Sequence, residues 1–182
     1  MRESEVTRGT RETDVRVALN IDGSGEAAVV TEDYFLTHML ETLARYSSMD
    51  IEVVATGEDR HHLVEDCAIV LGMALRRAMG DVVVMRTATR TLPMDDAHVT
   101  VSIDLIDRPY ADIDCPDVLW AHFLRSLAMS SGMTLHTMVL RGFDEHHVIE
   151  ATFKALGLAL DEALRPRPML LSTKDSPKVG GD

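Results

Sequence analysis

Apolar residues recur along this chain with two periods, which predict strands and helices in alternation. Every second residue is apolar over Asp14–Ile21, as in a half-buried strand, and the turn residues Asp22–Gly25 would join it to a second strand, Ala27–Thr31, as a hairpin. Residues 33–47 follow with the helical period. The same criteria predict a strand at 49–56, a helix at 62–79, strands at 99–106 and 109–113, a helix at 118–129, a strand at 133–140 and a helix at 146–164.

The second half of the chain repeats the first both in the order of its predicted elements and in its amino-acid sequence. Thr37–Val53 aligns with Ala121–Thr137 at an offset of 84 residues, and His61–Leu75 aligns with His146–Leu160 at an offset of 85. Two elements in one order at nearly one offset indicate an internal duplication, whose halves are expected to pack face to face. The predicted units are a first half at 1–88, a second half at 89–165 and a non-helical tail at 166–182.

Each half carries His-His-x-x-Glu at the start of its last helix. The first histidine and the glutamate share one helix face and can contact one ion, whereas the second histidine points about 100° away. Imidazole and carboxylate ligands suit a divalent metal such as Mn, Fe, Co, Ni or Zn, so two copies predict two equivalent metal sites that need further ligands. The residues of the two motifs are His61, His62, Glu65, His146, His147 and Glu150.

Four other histidines compete for the remaining ligand positions. His38, in a predicted helix, and His136, in a predicted strand, are the natural extra donors. His98 and His122 are isolated and are expected to be surface or internally satisfied residues, although His122 occupies the repeat position of His38. Cys67 lies within a predicted helix and is more typical of a core residue than of a ligand.

Composition narrows the class of protein and its partners. Hydrophobic residues make up 46% of the 182 residues, enough for a core, and the formal net charge of −12 argues against a nucleic-acid partner. There is no CxxC motif, no apolar signal region and no bilayer-length apolar run, which favours a cytoplasmic protein without a membrane partner. A phosphate site and ordinary solvated surface both remain open for the basic residues Arg86, Arg90, Arg108, Lys154 and Lys174.

A series of short motifs runs through the chain in a fixed order. They are Arg8–Thr13, Phe35–Leu40, His61–Asp66, Pro93–Asp96, Asp107–Tyr110, Met133–His136, Glu145–Ala155 and Ser172–Asp175. In residues and order they resemble the imidazoleglycerol-phosphate dehydratase family over nearly the whole chain. The resemblance implies an α/β (α+β) fold of the ribosomal protein S5 domain 2-like type, in which each duplicated half is a small mixed sheet covered by two helices.

The resemblance also implies a hydro-lyase of histidine biosynthesis, which converts imidazoleglycerol phosphate to imidazole-acetol phosphate and water. It would work as a homo-oligomer of 24 chains built from trimers, with active sites at subunit interfaces. Two Mn(II) ions per site would hold the imidazole ring and stabilise an imidazolate and a diazafulvene-like intermediate. The implied metal ligands are His38, His61, His62, Glu65, His136, His146, His147 and Glu150.

The same resemblance assigns the remaining site residues. Glu12, together with His61 and His146, is expected to be catalytic, and Glu12 is the candidate acid or base in competition with a metal-bound water. The expected substrate contacts, which include those that hold the phosphate, are Glu12, Arg86, Arg108, Lys154, Ser172 and Lys174.

Several positions depart from the family pattern. Thr37 stands where the family has an aspartate, Arg60 where it has an acidic residue, and Asp107 and Asp175 where it has glycines. These changes leave open an inactive metal-binding homologue of the same fold. A metallohydrolase also stays open, because His and carboxylate ligands serve hydrolysis as well.

Overall fold

A computed structural model of the protein describes residues 1–172, which form two similar halves. The first half consists of β1 (Glu3–Gly9), β2 (Thr13–Asn20), β3 (Ala27–Val30), α1 (Tyr34–Ser47), β4 (Asp50–Gly57) and α2 (Arg60–Met79). The second half consists of β5 (Thr87–Met94), β6 (Ala97–Asp104), β7 (Tyr110–Ile113), α3 (Val118–Ser131), β8 (Thr134–Arg141) and α4 (Glu145–Ala163).

Both halves have the same sheet topology. The strand orders are β1-β2-β4-β3 and β5-β6-β8-β7, with one parallel pair at the end of each otherwise antiparallel sheet. Two helices cover each sheet, and α2 packs against α3 while α1 packs against α4. The four helices therefore lie between the two sheets, and the predicted duplicated fold of two halves packed face to face is confirmed.

Two equivalent glycines set how closely the helix layers approach. A Cβ atom on Gly72 of α2 would lie 2.8 Å from the carbonyl oxygen of Leu127 in α3, and one on Gly157 of α4 would lie 2.6 Å from the Cβ of Tyr46 in α1. A side chain at either position would collide with the neighbouring helix. The glycines thus fix the separation within the pairs α2–α3 and α1–α4.

The predicted hairpin between the strands now numbered β2 and β3 is wrong. β4 lies between them, antiparallel to β2 and parallel to β3. The carboxylate of Asp50, at the start of β4, accepts hydrogen bonds from the backbone N–H groups of Ser24 at 2.8 Å and Glu26 at 3.0 Å. This carboxylate holds the loop beside β4, so that β3 pairs with β4 instead of folding back on β2.

The hydrophobic pattern missed the edge strands β1 and β5. Val6 is the one buried residue of β1, and Ala88 the one of β5. A strand that buries one side chain shows no alternation of apolar residues, so both strands are recognised only through their pairing with β2 and β6.

Candidate metal centre

Two clusters of histidine and glutamate side chains lie near the N-terminal ends of α2 and α4. The α4 cluster contains His38, His146 and Glu150, and the α2 cluster contains His61, Glu65 and His122. In each cluster the three ligand atoms lie within 4.8 Å of one another.

The spacing in both clusters suits a shared ion. His38 Nε2 and His146 Nε2 each lie 3.3 Å from Glu150 Oε2. In the α2 cluster the two nitrogens of the His122 ring face different partners. Nε2 lies 3.4 Å from Glu65 Oε1 and Nδ1 lies 3.1 Å from His61 Nε2, so one of the two nitrogens would share an ion with Glu65 and His61. Ligands about 2.1 Å from an ion are roughly 3.0–3.4 Å apart at octahedral or tetrahedral angles. Nitrogen and carboxylate ligands without a thiolate fit a borderline divalent cation.

Capping aspartates determine where the histidine pairs stand. The side chain of Asp59 accepts a hydrogen bond from the backbone N–H of His62 at 3.0 Å, and that of Asp144 accepts one from His146 at 2.8 Å. Such caps satisfy backbone donors that have no partner within the helix. Each His-His pair therefore lies in the first helical turn, where it projects beyond the packed layers.

His122 and His136 are placed differently from the expectation of the sequence. The prediction that His122 is isolated is wrong, because packing of α3 against α2 brings it into the α2 cluster. His136 lies on the outer face of β8, half exposed, with Nδ1 3.7 Å from a carboxylate oxygen of Asp112 and its ring next to Tyr110. The sequence feature that could have predicted this placement is the alignment of His122 with His38 in the repeat, since His38 belongs to the other cluster.

The second histidine of each pair faces a carboxylate in a strand-connecting turn. Nδ1 of His62 lies 2.6 Å from Oε2 of Glu12, in the turn between β1 and β2. Nδ1 of His147 lies 2.6 Å from Oδ1 of Asp96, in the turn between β5 and β6. The hydrogen bond to Asp96 raises the pKa of His147 and holds the pKa of Asp96 well below its usual range. As helix geometry predicts, neither histidine joins the cluster of its own motif.

Lys154 belongs to the α4 cluster. Its Nζ lies 2.9 Å from Oε1 of Glu150 and 5.6 Å from the centre of the Tyr46 ring. Burial raises the pKa of Glu150, but hydrogen bonds from Lys154 and His38 outweigh burial and leave that pKa below its ordinary value. The ammonium group therefore keeps the carboxylate ionised. In the α2 cluster, Ile69 occupies the equivalent position.

The predicted phosphate residues are only partly brought together. Arg86, Arg108 and Ser172 line a cavity of about 1030 Å³ at the C-terminal end of α2, together with Arg76 and Arg77. Lys154 lies elsewhere, beside the α4 cluster. Lys174, and with it Asp175, lies outside the described residues.

The backbone at this cavity adopts conformations that favour glycine. Arg86 has φ 74° and Asp107, which also lines the cavity, has φ 55°. Left-handed backbone at non-glycine residues concentrates at functional sites, where packing and ion pairs hold it. Arg86 Nε lies 2.8 Å from Asp104 Oδ1, and Arg76 Nη2 lies 2.7 Å from Asp107 Oδ1.

Two of the residues that depart from the family pattern, Arg60 and Thr37, form contacts with residues at the start of α1. Arg60 Nε lies 2.5 Å from Oδ2 of Asp33, the residue that caps α1. The Thr37 hydroxyl lies 2.9 Å from that of Thr31 and donates to the backbone oxygen of Asp33 at 3.1 Å. Both contacts hold the start of α1 and leave the ligand atoms of the α4 cluster together.

A family model described as imidazoleglycerol-phosphate dehydratase matches residues 31–160. The imidazoleglycerol-phosphate dehydratase of Desulfitobacterium hafniense is 43% identical over 191 residues, covering 96% of this chain and 97% of the relative. That of Thermoanaerobacter pseudethanolicus is 48% identical over 181 residues, covering 91% and 92%.

Two crystal structures with the same family name share the fold. The Pyrococcus furiosus structure superposes with a TM-score of 0.81 at 37% identity, covering 92% of this chain and 98% of that chain. The Staphylococcus aureus structure gives 0.82 at 28% identity, covering 91% and 99%. Within residues 1–172, no helix has the length and apolar character needed to cross a membrane.

Proposed function

The chain belongs to the imidazoleglycerol-phosphate dehydratase family, and we propose that its α2 and α4 clusters form the metal-dependent active site of that enzyme. It is a hydro-lyase of histidine biosynthesis. Two pseudo-equivalent sets of two imidazoles and one carboxylate, each spaced for one ion, are the observation that carries the proposal.

We assign one ion to each cluster and take both to be Mn(II), as the family resemblance implies. When bound, the ions supply Lewis acidity that eases loss of the N–H proton from the substrate's imidazole ring. His122 replaces His136 in the ligand set, because His122 lies with His61 and Glu65 whereas His136 lies on an outer sheet face.

The chain is proposed to act as a cytoplasmic oligomer of 24 copies built from trimers, with sites shared between subunits. His62 and His147 turn away from their own clusters, and they are proposed to bind ions held by a neighbouring chain. From Glu65 to Arg76, α2 rises by roughly 16 Å at 1.5 Å per residue. An imidazole ring with a three-carbon phosphate ester is too short to span that distance, which supports the proposal that the phosphate cavity of one chain serves the α2 cluster of another.

The cavity beside the C-terminal end of α2 is proposed to hold the phosphate. Arginine side chains donate paired hydrogen bonds that match phosphate oxygens. Arg86 and Arg108 supply these donors, Ser172 lies at the same wall, and Lys174 completes the proposed set. Lys154 is proposed instead to hold Glu150 ionised beside the substrate ring.

Glu12 is proposed to carry protons during the reaction. The hydroxyl next to the ring leaves as water with one proton, a proton leaves the neighbouring carbon, and the enol that results becomes the ketone. One water molecule is therefore released in total. The Glu12 carboxylate is exposed and lies 2.6 Å from His62 Nδ1, so the proposed base stands beside the histidine proposed to bind a neighbouring chain's ion.

Turnover of imidazoleglycerol phosphate by the purified Mn(II)-loaded protein, measured as formation of the ketone product, tests this function. Full metal occupancy without turnover would favour the inactive homologue, and hydrolysis of another substrate would favour the metallohydrolase. His98→Ala is the matched control, because His98 lies on β6 outside both clusters and its loss should leave turnover unchanged.

A further inference from the structure

The turn between β1 and β2, which carries Glu12, is held by a chain of threonine hydroxyls. The Thr10 hydroxyl accepts hydrogen bonds from the backbone N–H groups of Glu12 at 3.1 Å and Thr13 at 3.0 Å. The hydroxyls of Thr10 and Thr13 are 2.9 Å apart, and the Thr13 hydroxyl donates to the carboxylate of Asp66 on α2. Since the carboxylate only accepts, Thr13 must donate to Asp66, and its hydroxyl is left to accept from Thr10.

Asp66 is the buried end of this chain. Its side chain is about 11% exposed, and its second oxygen forms an ion pair with Nη1 of Arg8 on β1. Both oxygens are therefore occupied, and Thr13 between them and the turn is buried as well. A paired carboxylate in such a place fixes the turn against α2, the helix that also carries His62.

The pseudo-equivalent turn in the second half is held differently. Asp96 occupies the position of Glu12, and its own carboxylate accepts hydrogen bonds from the backbone N–H groups of Phe143 at 2.5 Å and Asp144 at 3.1 Å, besides contacting His147. Alanines, Ala97 and Ala151, stand at the positions of Thr13 and Asp66.

The two carboxylates thus have different freedom. Asp96 is committed to three partners, whereas Glu12 forms an ion pair with His62 and no other hydrogen bond or ion pair of its side chain among residues 1–172. In the first half, the network of Thr10, Thr13 and Asp66 holds the turn. The Glu12 carboxylate therefore need not bond to the backbone and can accept or donate a proton.

We propose that Asp66, acting through the hydroxyls of Thr13 and Thr10, is a positioning residue that holds Glu12 against His62 for proton transfer. This inference rests on the proposed function, in which Glu12 is the proton carrier. Misplacement of a catalytic group by about 1 Å costs roughly a hundredfold in rate. The effect is on the chemical step, because none of the three residues lines the phosphate cavity.

The matched pair Thr13→Val and Thr13→Ser tests the hydroxyl relay. Valine has the shape of threonine without the hydroxyl, and we expect kcat to fall about ten- to a hundredfold with KM within about twofold of the wild type. Serine keeps the hydroxyl and should retain kcat. Equal losses in both variants, or a loss that follows metal content or native mass, would overturn the proposal.

A double substitution separates positioning of Glu12 from an independent structural effect. Glu12→Gln alone should lower kcat by about a hundredfold or more. If Thr13 acts through Glu12, adding Thr13→Val to Glu12→Gln lowers kcat no further, because residues in one network are not additive. A further loss by the factor measured for Thr13→Val alone contradicts the relay.

Amide hydrogen exchange tests the positioning without relying on turnover. The backbone N–H groups of residues 12 and 13 both donate to Thr10, so Thr13→Val should speed their exchange several-fold while leaving the amides of the β5–β6 turn unchanged. Unchanged exchange at residues 12 and 13 refutes the inference even if the enzyme is active. A wild-type protein without turnover refutes the proposed function, and the exchange result then still decides whether the relay holds the turn.

Discussion

The two halves of this chain agree at one end of their last helices and differ at the other. At the N-terminal ends, α2 and α4 both present a His/Glu cluster. At the C-terminal ends, α2 presents Arg76 and Arg77 to a cavity, whereas the equivalent residues of α4 are Asp161 and Glu162. These acids form ion pairs with Arg165 and Arg90.

That contrast fits the proposed function, in which the two halves contribute to one composite site. In that proposal the substrate ring lies between two ions, which requires two similar metal clusters and so retains both copies of the motif. A substrate with one phosphate needs one anion cavity, so one helix end stays basic while the other is free to become acidic and form ordinary ion pairs. The clusters also differ in surroundings, since the Glu150 side chain is 10% exposed and that of Glu65 is 30% exposed.

The strongest test of the equivalence of the clusters is removal of one ligand from each. His122→Ala and His38→Ala should each lower kcat by more than about a hundredfold and reduce the metal content of the purified protein, because each leaves a cluster with two of its three ligands. Metal analysis and turnover measure this. His136→Ala is the decisive comparison. If His136→Ala loses metal and His122→Ala does not, His136 is the ligand, as the sequence had predicted.

Glycine-to-alanine substitutions test whether the two helix crossings are equivalent as well. Gly72→Ala and Gly157→Ala should each lower the free energy of unfolding by about 1–3 kcal/mol, since the new Cβ atoms would meet backbone or Cβ atoms at 2.6–2.8 Å. Denaturant unfolding measures the change. Gly9→Ala is the control, because nothing lies within 4 Å of a Cβ there. If Gly157→Ala leaves the free energy of unfolding unchanged while Gly72→Ala lowers it, the two helix crossings are not equivalent.

Lys154 marks a difference between the clusters, and its removal should affect one of them. In metal-free protein, Lys154→Met leaves the largely buried Glu150 without its main partner, which should cost about 1–3 kcal/mol of unfolding free energy. Ile69→Met, at the equivalent position on α2, should change stability by less than about 0.5 kcal/mol. Thermal unfolding of both variants measures this, and equal effects would remove the distinction between the clusters.

The smallest expected effect concerns the basic end of α2. Arg76 pairs with Asp107, which has an exposed carboxylate at the wall of the cavity. Arg76→Ala would release that carboxylate toward a bound phosphate, and we expect KM to rise about three- to tenfold, as for an exposed charge pair. Adding Asp107→Gly should restore KM and relieve the left-handed backbone at that position. If the double variant is as poor as Arg76→Ala, Arg76 contacts the substrate directly.

The site could be predicted from the sequence as far as local geometry reaches. Helical spacing placed the first histidine and the glutamate of each motif on one face and turned the second histidine away. The structure has His61 with Glu65, His146 with Glu150, and His62 beside Glu12 instead. The choice between His122 and His136 depended on which helices pack together, which periodicity within one element does not contain.

The family, the duplication and the elements with a strong hydrophobic period follow from the sequence alone, because motifs, repeats and periodicity are visible without knowing which elements pack together. The strand order, the edge strands and the pairing of helices depend on contacts between residues far apart in the chain, so they follow only from tertiary packing. It placed β4 between β2 and β3, added the edge strands β1 and β5, and joined α1 to α4 and α2 to α3 so that each cluster draws ligands from both halves. A metal cluster forms only where separate helices converge, and that convergence is set by the close approach at Gly72 and Gly157, not by the spacing of any one motif.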